Sequence, residues 1–163
     1  MIEDIHLNWA GSVISGRKGS LQLMTSNSSG QELVAINLHS GSYDRVTNAL
    51  SLAIISLAMG MEVHILLTYE ALRRFTKGHL EDTDWTSSEF QSVFKNGITS
   101  EGITPIETKL VEAKKMGLKV HACPNAMLNM NIAREDLVEE VDDLMGLVAF
   151  VSLARTAKIN WYI

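Results

Sequence analysis

A strand, a helix and a second strand follow one another within residues 33–68, and few folds accommodate that order. Leu33-Val-Ala-Ile-Asn-Leu-His39 is a short apolar run that ends at Ser40-Gly41-Ser42, as a strand running into a turn does. From Asp44 to Met59 the apolar residues Val46, Ala49, Leu50, Ala53, Ile54, Leu57 and Ala58 recur three and four apart. That period predicts an amphipathic helix, and Gly60 stops it. Glu62-Val-His-Ile-Leu-Leu-Thr68 is a second run of strand length. Strand, helix and strand in about 35 residues make a right-handed parallel crossover.

The pattern continues. A short helix is predicted near Tyr69–Phe75, and residues 76–104 read as irregular, with Gly78, Asp82, Asp84, Ser87, Ser88, Asn96, Gly97 and Gly102. Loops of that length are usually functional or cover something. Thr104-Pro105 opens a helix with Ile106, Leu110, Val111 and Ala113, ended by Gly117. Leu118–Cys123 is the third strand and Pro124 to about Asn131 a short helix. Arg134–Leu144 reads as an acidic helix, a solvated face rather than a metal site. Leu147–Val151 reads as a fourth strand, Ser152–Lys158 as a helical turn or more, and Ile159–Ile163 as a short closing strand. Strands alternating with helices imply a three-layer α/β/α sandwich on a mainly parallel sheet of about five strands, flavodoxin-like in appearance.

Residues 1–30 differ from this core: turn formers crowd Gly11–Ser20 and Thr25–Gly30. They form an N-terminal arm, whether disordered, a hairpin or a docking segment. Its apolar residues Ile5, Leu7, Trp9, Leu21 and Leu23 favour docking. Residues 31–163 then make a single domain, the size expected for one core.

Charge and cysteine usage narrow the classes. A net charge of −5 argues against a dedicated nucleic-acid binder, which needs a basic stripe. The single cysteine excludes an intrachain disulfide and suits a reducing compartment. No secretory signal is visible at the start. The longest apolar stretch, Ala49–Met61, is interrupted by Ser51, Ser56 and Gly60, too short for a span of about 20 apolar residues. The expected location is cytoplasmic.

Cys123 is the chemically distinctive residue. It stands at the carboxyl end of the third strand, where the loops of a parallel sheet meet in a common crevice. Pro124 fixes the first helical position, so Cys123 becomes the helix N-cap, facing unpaired amides and the positive end of the dipole. That field favours a thiolate or a persulfide anion and is the recognised route to a nucleophilic sulfur. The alternative is an inert buried thiol, since free cysteine is among the most buried residue types. His121 lies two residues earlier on the same strand face, either assisting the sulfur or, as is commoner, sitting hydrogen-bonded in the core. If the first and third strands are neighbours, His39 and Ser40 face Cys123; if the third pairs with the second, Thr68 and Tyr69 do. Ser40-Gly41-Ser42 is either an anion-binding turn or a tight turn in which Ser42 or Asp44 caps the helix. It matches no phosphate-binding motif. One cysteine and scattered histidines provide no metal site, and nothing in the sequence calls for a cofactor.

These residues resemble the DsrE/DsrF-like family of sulfur-relay proteins, in particular its peroxiredoxin-like DsrE branch. The likeness rests on Gly41 and Asp44 in the turn, the helix Ala49–Gly60, the strand Glu62–Leu67, and Lys119-Val-His-Ala-Cys123-Pro-Asn-Ala-Met127. Gly146-Leu-Val-Ala-Phe150, taken as a strand before the last helix, also fits. The resemblance implies an α/β/α sandwich, assembly into homotrimers or homohexamers, and a persulfide-carrying cysteine after the third strand. Only Cys123 can fill that role, with His121, His39, Pro124 and Asn125 as possible support. It also implies sulfur donor and acceptor proteins, TusA-like or rhodanese-like. Lacking a second cysteine, the chain cannot run a two-cysteine peroxidase cycle within itself. Other readings are a small-ligand or nucleotide module with Cys123 incidental, or a structural subunit of a sulfur-relay complex.

Overall fold

The computed structural model describes residues 30–83 and 87–163. The arm expected over residues 1–30 lies outside the described residues except for Gly30. In chain order the elements are β1 (Leu33–Leu38), α1 (Tyr43–Ala58), β2 (Glu62–Leu67), α2 (Tyr69–Arg74), α3 (Ser88–Thr99) and α4 (Ile106–Lys115). Then follow β3 (Lys119–Ala122), α5 (Pro124–Met130), a 3-10 turn (Arg134–Asp136), β4 (Asp143–Leu144), α6 (Leu147–Ala154) and β5 (Ile159–Tyr162). The five strands pair in the order β4-β3-β2-β1-β5, and every pair is parallel.

Register sorts the sheet into two unlike faces. Strand side chains alternate, so Val34, Ile36 and Leu38 share a face with Val63, Ile65, Leu67, Val120 and Ala122. All eight are fully buried, in one cluster with Val46, Ala49, Leu50 and Ala53 of α1 and Ile106, Leu110 and Ala113 of α4. α1 and α4 pack on each other across this face. The connection from β4 to β5 runs back across the sheet, so right-handed chain geometry puts α6 on the opposite face, where it packs on β1. Helices on both faces give the expected three layers.

Three sequence expectations are corrected. Residues 76–104 contain a helix, α3, whose apolar residues Phe90, Val93, Phe94 and Ile98 have helical spacing. The intervening Ser, Asn and Gly hide it, and no α3 residue is fully buried. The acidic helix Arg134–Leu144 is only the 3-10 turn followed by extended chain and β4. Its carboxylates bind backbone and other strands instead of lining a helix: Asp136 accepts from the Ala133 N–H at 2.8 Å, and Asp142 from the Val120 N–H at 2.8 Å. The fourth strand is therefore Asp143–Leu144, and Leu147–Val151 belongs to α6, which ends at Ala154. A continuous apolar run fits a buried strand and a buried helix alike, and here packing chooses the helix.

The turn between β1 and α1 is closed by α2. A side chain at Gly41 would place its Cβ 2.5 Å from the Glu70 carbonyl oxygen. The buried Arg74 Nε donates to the Gly41 carbonyl, and its Nη1 to that of Leu80 at 2.8 Å. We therefore expect Gly41→Ala to destabilise the fold by about 1–3 kcal/mol, the usual cost of overpacking, because the clash is with backbone. Chemical denaturation reads this directly; an unchanged midpoint would show that α2 yields freely.

Asp142 fastens α4 to the β3–β4 edge, accepting from Lys114 Nζ at 2.5 Å. Burial pushes its carboxyl up, but the hydrogen bonds from Lys114 and Val120 and the charges of Lys114 and Lys119 outweigh it. Its pKa ends below the ordinary carboxylate value. A depressed carboxyl stabilises the fold above its unfolded pKa of about 3.9 and loses that contribution as pH falls through the lower folded value. Asp142→Asn should thus lower stability at neutral pH, with the gap to wild type narrowing in acid below about pH 4. Thermal unfolding across this range checks it, and a gap independent of pH is the contrary result.

Candidate functional site

Parallel strands in register end at one level, and the residues that follow them meet there. Cys123 follows β3, Thr68 follows β2 and His39 follows β1. β3 pairs with β2, so the second of the two strand orders weighed above holds. The Cys123 N–H donates to the Leu67 carbonyl at 3.1 Å, setting the sulfur-bearing residue beside Thr68 and away from His39.

Cys123 is the N-cap of α5, with extended backbone (φ −79°, ψ 114°) and Pro124 at the first helical position. Its carbonyl accepts the first helical bond from Met127 at 3.0 Å. Pro124 and Asn125 are exposed, whereas Cys123 is 2% exposed and its thiol makes no capping hydrogen bond. α2 packs against α5. The sulfur sits at the expected helix end, enclosed rather than presented.

His39 and Thr68 join β1 to β2 at this edge. His39 Nδ1 lies 3.2 Å from Thr68 Oγ1, which is also 3.3 Å from Asn37 Oδ1. The His39 ring stacks on Tyr162 with centroids 5.7 Å apart and meets the Tyr69 ring edge-on at 5.2 Å. Tyr69 begins α2 with a left-handed backbone (φ +44°), a conformation costly for a bulky residue and found where surrounding structure imposes it. The imposing bonds run from the Thr68 N–H to Leu38 and from the Ala71 N–H to His39, at 3.0 and 3.1 Å.

His121 is a buried, fully engaged histidine. Its Nδ1 bonds Asp143 Oδ1 and its Nε2 lies 2.8 Å from His64 Nδ1. His64 Nε2 in turn lies 2.9 Å from Glu62 Oε1. Both His121 nitrogens are thus turned away from Cys123, although the two residues share a face of β3. His64, Glu62 and Asp143 escaped the sequence reading. The available signal was the repeated charged-Val-His triplet, Glu62-Val-His64 and Lys119-Val-His121, which becomes a pair only when β2 lies beside β3.

The Ser40-Gly41-Ser42 turn is satisfied within itself. Ser40 and Ser42 hydroxyls lie 3.0 Å apart, the Ser42 N–H donates to Ser40 Oγ at 3.3 Å, and Gly41 is buried against α2. Ser42 occupies the N-cap of α1, but its side chain makes no cap bond. A cavity of about 450 Å³ is lined by Lys77, Glu81, Glu107, Glu139 and Glu140 among others and by none of the candidate residues. Among the described residues no group of three or more His, Cys, Asp or Glu is placed to hold a metal. No described helix is long and apolar enough to cross a membrane.

Comparison with solved structures finds the same fold. The chain superposes on the YchN protein of E. coli with a TM-score of 0.59 at 16% identity, covering 82% of this chain and all of that one. MTH1491 of Methanobacterium thermoautotrophicum, a protein of unknown function, gives 0.51 at 14%, with the same coverage. No curated protein matches the chain. The DsrE/DsrF-like family model matches residues 33–160, from the start of β1 into β5. The chain belongs to the DsrE/DsrF-like family.

Proposed function

We propose that the protein is a sulfur carrier that holds sulfane sulfur as a persulfide on Cys123. The observation that supports this reading is the position of the chain's single cysteine. It follows β3 and occupies the N-cap position of α5 in a chain whose family points to a sulfur-relay role. In the first step the Cys123 thiolate attacks the outer sulfur of a donor persulfide. A new S–S bond forms at Cys123, and the donor's inner sulfur leaves as thiolate with the electron pair of the broken bond. An acceptor thiolate then attacks the outer sulfur, and the Cys123 thiolate leaves. No net oxidation occurs. Amides at the start of α5 face the anion at both stages. TusA-like or rhodanese-like proteins are the donors and acceptors in this reading, with no bound cofactor.

A second reading has one observation in its favour: a thiol 2% exposed and without a capping bond suits a structural subunit of a relay complex. Polysulfide treatment followed by intact-mass measurement separates the two. The carrier gains a one-sulfur adduct that dithiothreitol removes and Cys123→Ser lacks. A wild-type mass unchanged by polysulfide leaves only the structural reading.

Either reading includes assembly as a homotrimer or homohexamer. α6 supports it: one side carries the buried Phe150, while Leu147, Val148 and Val151 on the other are 49%, 83% and 56% exposed. An apolar row of this kind on a water-facing helix is a contact surface in waiting. Light scattering should report three or six copies for the wild type and one for Val148→Asp, with circular dichroism unchanged. A monomeric wild type would end the assembly proposal.

A further inference from the structure

The sheet face opposite α1 and α4 carries a feature that the sulfur reading does not use. Glu62, His64, His121 and Asp143 form three hydrogen bonds in series across β2, β3 and β4. Their order is Glu62 Oε1, His64 Nε2, His64 Nδ1, His121 Nε2, His121 Nδ1 and Asp143 Oδ1. The rings are within 13° of parallel with centroids 5.1 Å apart and nitrogens 2.8 Å apart, so they meet edge to edge rather than face to face. The His side chains are 12% and 5% exposed, the carboxylates 49% and 65%.

Counting protons decides the charge of this chain. An ionised carboxylate only accepts, so each outer bond requires an N–H on the histidine it meets. The central bond requires a third N–H, on one ring nitrogen facing a bare one. Two neutral histidines bring two protons; the three bonds need three. We infer that His64 and His121 form a single-proton site, holding one proton beyond neutrality between them, and that this proton makes the pair a pH-sensitive latch across the sheet.

The two ways of leaving the three-proton state differ. Removing a proton costs the bond to Glu62, whose carboxylate is half exposed and turns to water at little expense. Adding a fourth sets two N–H groups of two imidazolium cations against each other in a nearly dry place, and the central bond is lost. Acid therefore opens the latch, and His64, the more exposed ring, is the one that leaves. Among the described residues, the neighbouring groups do not mask the effect. Directly beside His64 in register is Lys119, whose charge also disfavours a second cation, and Cys123 lies two residues beyond His121. The same-face residues of β1 are Leu33, Ala35 and Asn37, and those of β5 are Asn160 and Tyr162. α6 contributes no acidic, basic or histidine side chain. Asp142 points elsewhere, to Lys114 and the Val120 N–H.

Nitrogen NMR of the full chain labelled in its histidine rings tests this without reference to Cys123. A wild type that takes no sulfur leaves the inference untouched, and loss of the latch leaves the carrier reading untouched. Near neutral pH three of the four ring nitrogens should carry hydrogen, with a coupling across the hydrogen bond between His64 Nδ1 and His121 Nε2. As pH is lowered from about 8 towards 5, where histidine changes charge, the fourth proton should arrive together with loss of that coupling. The exposed His79 serves as an internal reference that shows no such coupling. His64→Gln keeps a hydrogen-bonding partner for His121 but removes the third proton. The His64→Gln protein should therefore show no such coupling at either pH, while His121 Nδ1 keeps the hydrogen it donates to Asp143. Two N–H groups only at neutral pH, or a coupling that survives in acid, would each overturn the inference.

Discussion

An all-parallel sheet has to be covered on both faces, and everything else in this molecule follows from how unequally that is done. One face receives α1 and α4 and is apolar without interruption from β1 to β3. The other receives one eight-residue helix, α6, set over β1. Among the described residues no helix covers the part of that face lying over β2, β3 and β4, and there the strands carry Glu62, Lys119 and Asp143 at exposed positions. Polar residues in central parallel strands are unusual, and two histidines with no more than 12% exposure require partners. They find them in each other and in the two carboxylates. The single-proton latch is thus the sheet's answer to a face that the described helices leave partly uncovered.

The same parallel register fixes what meets at the carboxyl edge. Because Leu67 lies beside Ala122 and Leu38 beside Leu67, the residues after these strands stand in a row: His39, then Thr68, then Cys123. Thr68 separates the histidine from the cysteine, so His39 belongs with Tyr69 and Tyr162 in a ring cluster of its own. The site around Cys123 is consequently built from the ends of α2 and α5 and not from a histidine base. In the proposed carrier, backbone amides at the start of α5 are what would stabilise a persulfide there.

Much of this architecture was legible because local pattern and tertiary packing agree from β1 to β2 and again from α4 to α5. Gly60, with φ +82°, ends α1 where the period stops, and Pro124 starts α5 where its fixed φ suits a first turn. Legibility failed where the two disagree. Asp136, Asp142 and Asp143 look like one solvated helix face, yet each is claimed by a specific partner in the backbone or on a neighbouring element. Leu147–Ala154 is apolar except for Ser152, so period could not separate a buried strand from a helix with one face inward and another outward. For the site, sequence located Cys123 at a helix start but had no means of registering that α2 would close over that edge. It also treated His121 alone, because the partner that defines it is 57 residues away.

Enclosure of Cys123 and a role in sulfur transfer are compatible on one physical condition. A persulfide is labile towards stray thiols and oxidants, so a covered sulfur protects cargo between encounters, provided the cover can lift. Beside Cys123, α2 and α5 pack on each other, helices of six and seven residues. Each is far below the roughly 12–15 residues at which a helix begins to hold itself together in water, so each persists through its contacts. Of the two, α5 has the exposed Pro124, Asn125, Leu128 and Asn129, whereas α2 buries Ala71, Leu72 and Arg74 in the core above the β1–β2–β3 ladder. Tyr69, held in a left-handed conformation at the start of α2, loses that strain when the helix start is released. Under the proposed carrier role, a partner would approach Cys123 from the exposed Pro124–Asn125 corner of α5.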